Sequence, residues 1–198
     1  MTKQAPDTRA DGLDQVINTI FLGGSRRVSR LPELCRNRLD TIIAGGHRIV
    51  VGDASGVDKA VQKHILGRGY EAVTVFCTGP SARNNVGGWS IEHVVPPKAA
   101  RGFAFYAAKD REMARAADFG LMIWDGESPG TLLNVLRLVR AGKIAVLHNA
   151  RTDTVTNFKG SADWDAFIKD CDPEIVREVG ARATPEEWSG VPQERDEA

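Results

Sequence analysis

Between residues 17 and 150, five short apolar runs alternate with amphipathic segments, and this alternation constrains the fold more than any other feature. Apolar runs of four to eight residues closed by Gly or Asp read as strands buried on both faces, and the longer segments between them as crossover helices. "INTIFLG" (17–23) is the first run, followed by a helix from about Leu31 that ends at Gly45 and Gly46. "HRIVVGD", the helix "SGVDKAVQKHILGRG" and "EAVTVFC" continue the pattern. It closes with the helix "KDREMARAAD", the strand "FGLMIWD", the helix "GTLLNVLRLVRAGK" and the strand "IAVLHN".

Strands joined by helices of this length form a parallel sheet with right-handed crossovers. The expected fold class is therefore α/β, a Rossmann-like doubly wound parallel sheet with strand order 3-2-1-4-5 and a C-terminal helical extension. The expected organisation is a flexible N-terminus (1–14), a nucleotide-binding domain (15–150), a helical extension (151–190) and a flexible tail (191–198). In the extension, "ADWDAFIKD" and "PEIVREVG" read as helices, the second with Asp172 as N-cap and Pro173 in its first turn. From Thr78 to about Ala107 the regularity stops, leaving four Gly, three Pro and one short possible strand at 91–95. Such long connections serve as lids or binding loops. Residues 79–105 are expected to close over a site, with Gly87, Gly88 and Gly102 as hinges and Arg83 or Arg101 meeting a ligand. Trp89 either stacks on a base or anchors the loop.

Composition narrows the partners. Lys plus Arg and Asp plus Glu both number 26, so no net field draws the chain to a polyanion and any anion site is local. No stretch interleaves aromatic residues with a basic groove, and nucleic acid is not expected as a partner. Cys35, Cys77 and Cys171 lie far apart with no CxxC pair, and the four histidines show no ligand spacing; no metal and no cofactor are expected. The start lacks a signal-like apolar region and no run approaches the roughly 20 apolar residues of a membrane span. The expected setting is cytoplasmic, without a membrane partner. The helix "TLLNVLRLV" is apolar on nearly every side, which implies burial against the sheet and a second surface, such as another copy in a homodimer.

Ligands of open α/β sheets bind beyond the carboxyl ends of the strands, so three strand-to-helix junctions carry the functional signal. In "GGSRR", Gly23 and Gly24 permit close backbone approach, Ser25 offers a hydroxyl and Arg26 can pair with phosphate. In "GDASGVD", Gly52, Asp53 and Gly56 leave a helix N-terminus open, while Ser55 and Asp58 have the spacing of a capping box. In "WDGESPGT", Asp125 offers an acceptor for hydroxyls and Gly126 turns the chain. Ser128 is placed to cap, and Gly130 and Thr131 present free amides. An acceptor for hydroxyls beside a donor cluster for phosphate suits a nucleotide or phosphorylated sugar.

Together "GGSRR", "GDASGVD", "KDREMARAAD", "WDGESPGT" and "AGKIAVL" resemble, in order and spacing, the SLOG superfamily, most of all its YspA-like branch. That superfamily also includes DprA-like proteins and LOG-type phosphoribohydrolases once called lysine decarboxylases. The resemblance spans roughly residues 17–150. It implies a nucleotide-derived ligand, such as a nucleoside monophosphate or an ADP-ribose-like molecule, held by the three loops. The LOG-type catalytic Arg and Glu fall at Lys109 and Asn134. An amide cannot act as a carboxylate nucleophile or general base, so the expected role is that of a sensor or carrier. The alternatives are an N-glycosidase, phosphoribohydrolase or deoxyribosyltransferase using Asp58, Lys109, Asp110 or Asp125, and a DprA-like single-strand DNA binder.

Overall fold

A computed structural model describes residues 16–189; the expectations for residues 1–14 and 191–198 lie outside them. The elements in chain order are β1 (Thr19–Gly24), α1 (Glu33–Ala44), β2 (Arg48–Gly52), α2 (Val57–Gly67), β3 (Val73–Thr78), β4 (Ser90–Val94) and α3 (Gly102–Ala116). There follow β5 (Phe119–Trp124), α4 (Pro129–Arg140), β6 (Ile144–Asn149), β7 (Thr154–Phe158), α5 (Ser161–Lys169), α6 (Pro173–Arg182) and α7 (Pro185–Ser189). One seven-stranded sheet runs in the order β4-β3-β2-β1-β5-β6-β7. Its five central strands are the five apolar runs in the expected order, all parallel.

Period-two alternation sorts the side chains into two cores. Ile20 and Leu22 face Cys35 and Leu39 of α1 and Val57, Val61 and Ile65 of α2. Phe21, Met122 and Trp124 face Met113 of α3, Leu132 and Leu136 of α4, Trp164 of α5 and Val179 of α6. The doubly wound expectation holds. Its C-terminal ends of β1, β2 and β5 open onto one edge, where the three glycine-bearing junctions meet.

Three expectations are corrected. The extension beginning at residue 151 is not wholly helical: "TVTNF" forms β7, antiparallel to β6, and buries Phe158 in the core. Second, α3 starts at Gly102 rather than near Lys109, so Phe103 and Tyr106 sit on its first turns instead of on a loop. The preceding segment is pinned rather than free. Trp89 is buried and donates Nε1–H to the Tyr70 carbonyl at 3.0 Å, anchoring the loop, and β4 pairs along β3. Third, the second surface against α4 belongs to the same chain, since α5, α6 and α7 pack on it with the sheet behind. The feature that suggested a homodimer is thus accounted for within one chain.

Candidate nucleotide site

At the carboxyl edge of the sheet lies a cleft of about 470 Å³. The loop after β1 forms one side, the starts of α2 and α4 the base, the first half of α3 the opposite side, and Arg182 from the end of α6 part of the mouth. Of the residues singled out by sequence, Gly23, Gly24, Ser25, Arg26, Asp58, Lys109, Asp110, Ser128, Gly130 and Thr131 line it. Gly52, Asp53, Ser55, Gly56, Asp125 and Gly126 do not; most of them build its walls from behind.

Two glycines show how. Gly56 has φ +76°, and a Cβ there would lie 2.3 Å from the Arg26 carbonyl oxygen, so only glycine lets the α2 loop seat against the β1 loop. Gly52 leaves room for a charged group: a Cβ would fall 2.3 Å from Asp58 Oδ2 and 2.5 Å from Lys109 Nζ. The Ser55–Asp58 capping box does not form. Ser55 is exposed, and Asp58 Oδ2 accepts from the Ala54 amide at 3.0 Å.

Asp125 is likewise corrected as a ligand acceptor. Its Oδ1 accepts from the amides of Glu127 and Ser128, and its Oδ2 from the Ser128 hydroxyl and Arg27 Nε. Four donors use the carboxylate up. Burial alone would raise its pKa, but these hydrogen bonds, led by the Ser128 hydroxyl, bring it down to about 2. Gly126, at φ +85°, lies under the Arg151 guanidinium. Because the Ser128 hydroxyl is turned toward Asp125, α4 has no side-chain N-cap, and Pro129 contributes no N–H. The α4 N-terminus thus meets the cleft without a side chain capping its amides, the arrangement that favours an anion. Ser25 and Thr131 fasten this corner: their hydroxyls are 3.0 Å apart, and the Asp125 amide donates to Ser25 Oγ at 3.1 Å.

Across the cleft sits a buried charge cluster. Lys109, 3% exposed, donates to Asp110 Oδ1 at 2.8 Å and lies 3.9 Å from Asp58 and 4.0 Å from Asp53. Burial opposes its charge, yet the carboxylates, Asp110 foremost, raise its pKa and keep it an ammonium. Asp58 goes the other way: burial pushes it up to about 6, against the pull of Lys109. Asp53 is claimed by the Arg83 guanidinium, which binds it side-on and holds its carboxyl low in spite of burial.

Sequence reading missed the aromatic pair at the mouth. Tyr106 lies under two guanidiniums, Arg83 at 4.4 Å and Arg26 at 5.3 Å from the ring centroid, and Arg182 sits 5.2 Å over Phe103. The signal was present as an F-x-x-Y spacing at i, i+3 on one helix face. Its arginines come from three distant segments and were invisible as a pattern. Among the described residues no group of three or more His, Cys, Asp or Glu side chains could hold a metal, and no helix is long and apolar enough to cross a membrane.

No protein-family model matches the chain, and no curated protein matches it. A solved structure of DNA processing protein A from Helicobacter pylori, described for its single-stranded DNA binding mode, is similar at a TM-score of 0.50 and 15% identity. The match covers 83% of this chain and 79% of that one, and it supports the Rossmann-like fold. It also overturns the exclusion of nucleic acid made from the sequence. A protein of similar fold binds single-stranded DNA, and the aromatic and basic residues said not to be interleaved meet at Phe103, Tyr106, Arg26 and Arg182.

Proposed function

We propose that this cleft binds a phosphorylated nucleoside unit. The observation that carries the reading is the α4 N-terminus without a side-chain cap, beside Arg26, in one cleft with Phe103, whose ring lies close to Gly130, and with the arginine-backed Tyr106. Phosphate belongs at the α4 amides and Arg26. The base packs against the partly exposed Phe103 ring. Asp110 accepts from a hydroxyl of the sugar between them. The resemblance of the loops to the SLOG superfamily and its YspA-like branch supports the same reading. With an amide at position 134, the role is binding rather than glycosidic cleavage.

Titration with AMP, GMP, CMP and UMP, followed by thermal unfolding and calorimetry, tests it. At 100 times Kd the ligand adds about 2.7 kcal/mol, a rise in Tm of roughly 5 to 10 °C for a chain of this size. Arg26→Ala should weaken binding about tenfold, by loss of a charge-assisted contact. A melting curve that no nucleotide moves sinks the reading.

A second reading is that the same unit is presented within a single strand. The similarity to a single-stranded DNA-binding protein favours it, together with the aromatic residues interleaved with arginines at the mouth. A dT oligomer titrated at several salt concentrations separates the two. Strand binding gives an affinity that falls steeply with salt, with slope near −0.7 per phosphate contacted. If the oligomer binds and mononucleotides do not, the strand reading replaces the first.

A further inference from the structure

Asn134 lines the cleft one helical turn beyond Gly130 on the same face of α4. Its Oδ1 accepts from Arg137 Nη1 at 2.8 Å in a buried contact. Arginine can only donate, so the amide has a fixed orientation: the oxygen faces Arg137 and the NH₂ does not. Arg137 is itself held. It is 6% exposed, and its Nε donates to Glu187 Oε1 at 2.8 Å, which leaves the guanidinium little freedom to release Asn134. Asn134 Nδ2 has no protein acceptor among the described residues and is not among the buried unpartnered atoms. It is a donor open to the cleft. The opposite wall supplies acceptors, Asp58 and Asp110.

Position along the helix indicates which part of a ligand this donor meets. One turn spans about 5.4 Å, the order of the distance from a 5′-phosphate to its sugar ring. With phosphate at the α4 N-terminus, Asn134 is level with the sugar, between a donor wall and an acceptor wall. We propose that Asn134 is a specificity-determining residue that donates to a sugar hydroxyl oxygen, and that Arg137 is the positioning residue that sets its polarity. The inference rests on the nucleotide reading and names the ligand as a nucleotide recognised by its sugar hydroxyls. A carboxylate at this position would present acceptors only; the Asn134–Arg137 pair makes the wall a donor.

The test compares AMP, 2′-deoxy-AMP and 2′,3′-dideoxy-AMP by calorimetry on the full chain. The wild type should bind the three in that order, with each lost hydroxyl weakening affinity about 3- to 10-fold. Asn134→Leu removes the donor at similar size. It should weaken AMP by about the same factor and bring the ratio at one hydroxyl close to one. Arg137→Met should do likewise by freeing the amide. Arg140→Met, which removes the bonds to the Glu187 and Trp188 carbonyls of α7 but leaves the Glu187 carboxylate on Arg137, should keep the wild-type ratios. Unchanged ratios at both hydroxyls in Asn134→Leu overturn the proposal while leaving the nucleotide reading intact. Ratios altered equally in Arg140→Met and Arg137→Met overturn the positioning role, because the effect then runs through α7. A chain that binds none of the three overturns both readings together.

Discussion

Asp58 shows how much one side chain's behaviour depends on neighbours far away in sequence. The S-x-x-D spacing suggested a cap; instead the elements packed around Asp58 bury it, and burial lifts its carboxyl from an ordinary 3.8 to about 6 against the pull of Lys109 from α3. A folded-state pKa above the unfolded one means that the stability contributed by the protonated form is complete below about 3.8 and is lost as pH rises through about 6. Above that, the ionised group costs the fold up to about 3 kcal/mol. Asp58→Asn keeps an acceptor for the Ala54 amide and carries no charge. It should be more stable than wild type by about 1 to 3 kcal/mol at pH 8 and equal to it at pH 4, as measured by urea unfolding across that range. A difference that does not vary with pH would mean that Lys109 already neutralises the ionised carboxylate. The cleft residues legible from sequence were those at the strand-to-helix turns, Gly23 through Arg26 and Gly130 with Thr131. Asp125 was misread because its neighbours within three residues saturate it, a local competition that a motif does not display.

At the scale of elements, period and punctuation were informative wherever a segment is buried on both sides, and weak at the edges. The five central strands and α1, α2, α4, α5 and α6 were legible because their apolar spacing is dictated by cores on the two faces of one sheet. The edge strand β7 was not, since "TVTNF" buries only Phe158 fully. Nor was α7, five residues held in place by Glu187 and by Arg140 on the Glu187 and Trp188 carbonyls. Glu187 closes a reciprocal cap with Thr184 and also binds Arg111 Nε at 2.7 Å and Arg137 Nε at 2.8 Å. Burial would raise this carboxyl, but the Arg111 hydrogen bond and the charge and hydrogen bond of Arg137 take it from 4.5 down to about 2. Its contribution is therefore present above pH 4.5 and lost as pH falls through about 2. Removing one partner of a buried ion pair costs about 3 kcal/mol or more, so Glu187→Ala should lower Tm by roughly 6 to 12 °C at pH 7. Hydrogen exchange should quicken at 183–189 while the central strands stay protected. Uniformly faster exchange would mean that α7 is not a separable latch but part of the cooperative core.

For the whole molecule, the boundary near residue 150 marks a change in composition, and we propose that it does not divide two folding units. The sheet continues past it. β7 pairs with β6 over five residues, and Phe158, Trp164 and Val179, all at most 2% exposed, belong to the same core as Met122 and Leu136. Without them the outer side of α4, a helix buried from Thr131 to Val139, would face water. Fully burying one large apolar side chain is worth about 1.5 to 3 kcal/mol, so losing three removes roughly 5 to 9 kcal/mol before the newly exposed face of α4 is counted. Total stabilities are only about 5 to 15 kcal/mol. A chain ending at Ala150 should therefore fail to fold cooperatively, showing no sharp thermal transition and binding a dye specific for exposed apolar surface. The full chain should unfold in one transition seen alike by far-ultraviolet dichroism and tryptophan fluorescence, because Trp164 beyond the boundary and Trp124 before it report on one core. Two separated transitions, or a shortened chain that still melts sharply, would show instead that the first 150 residues carry their own core and that the extension is an added layer.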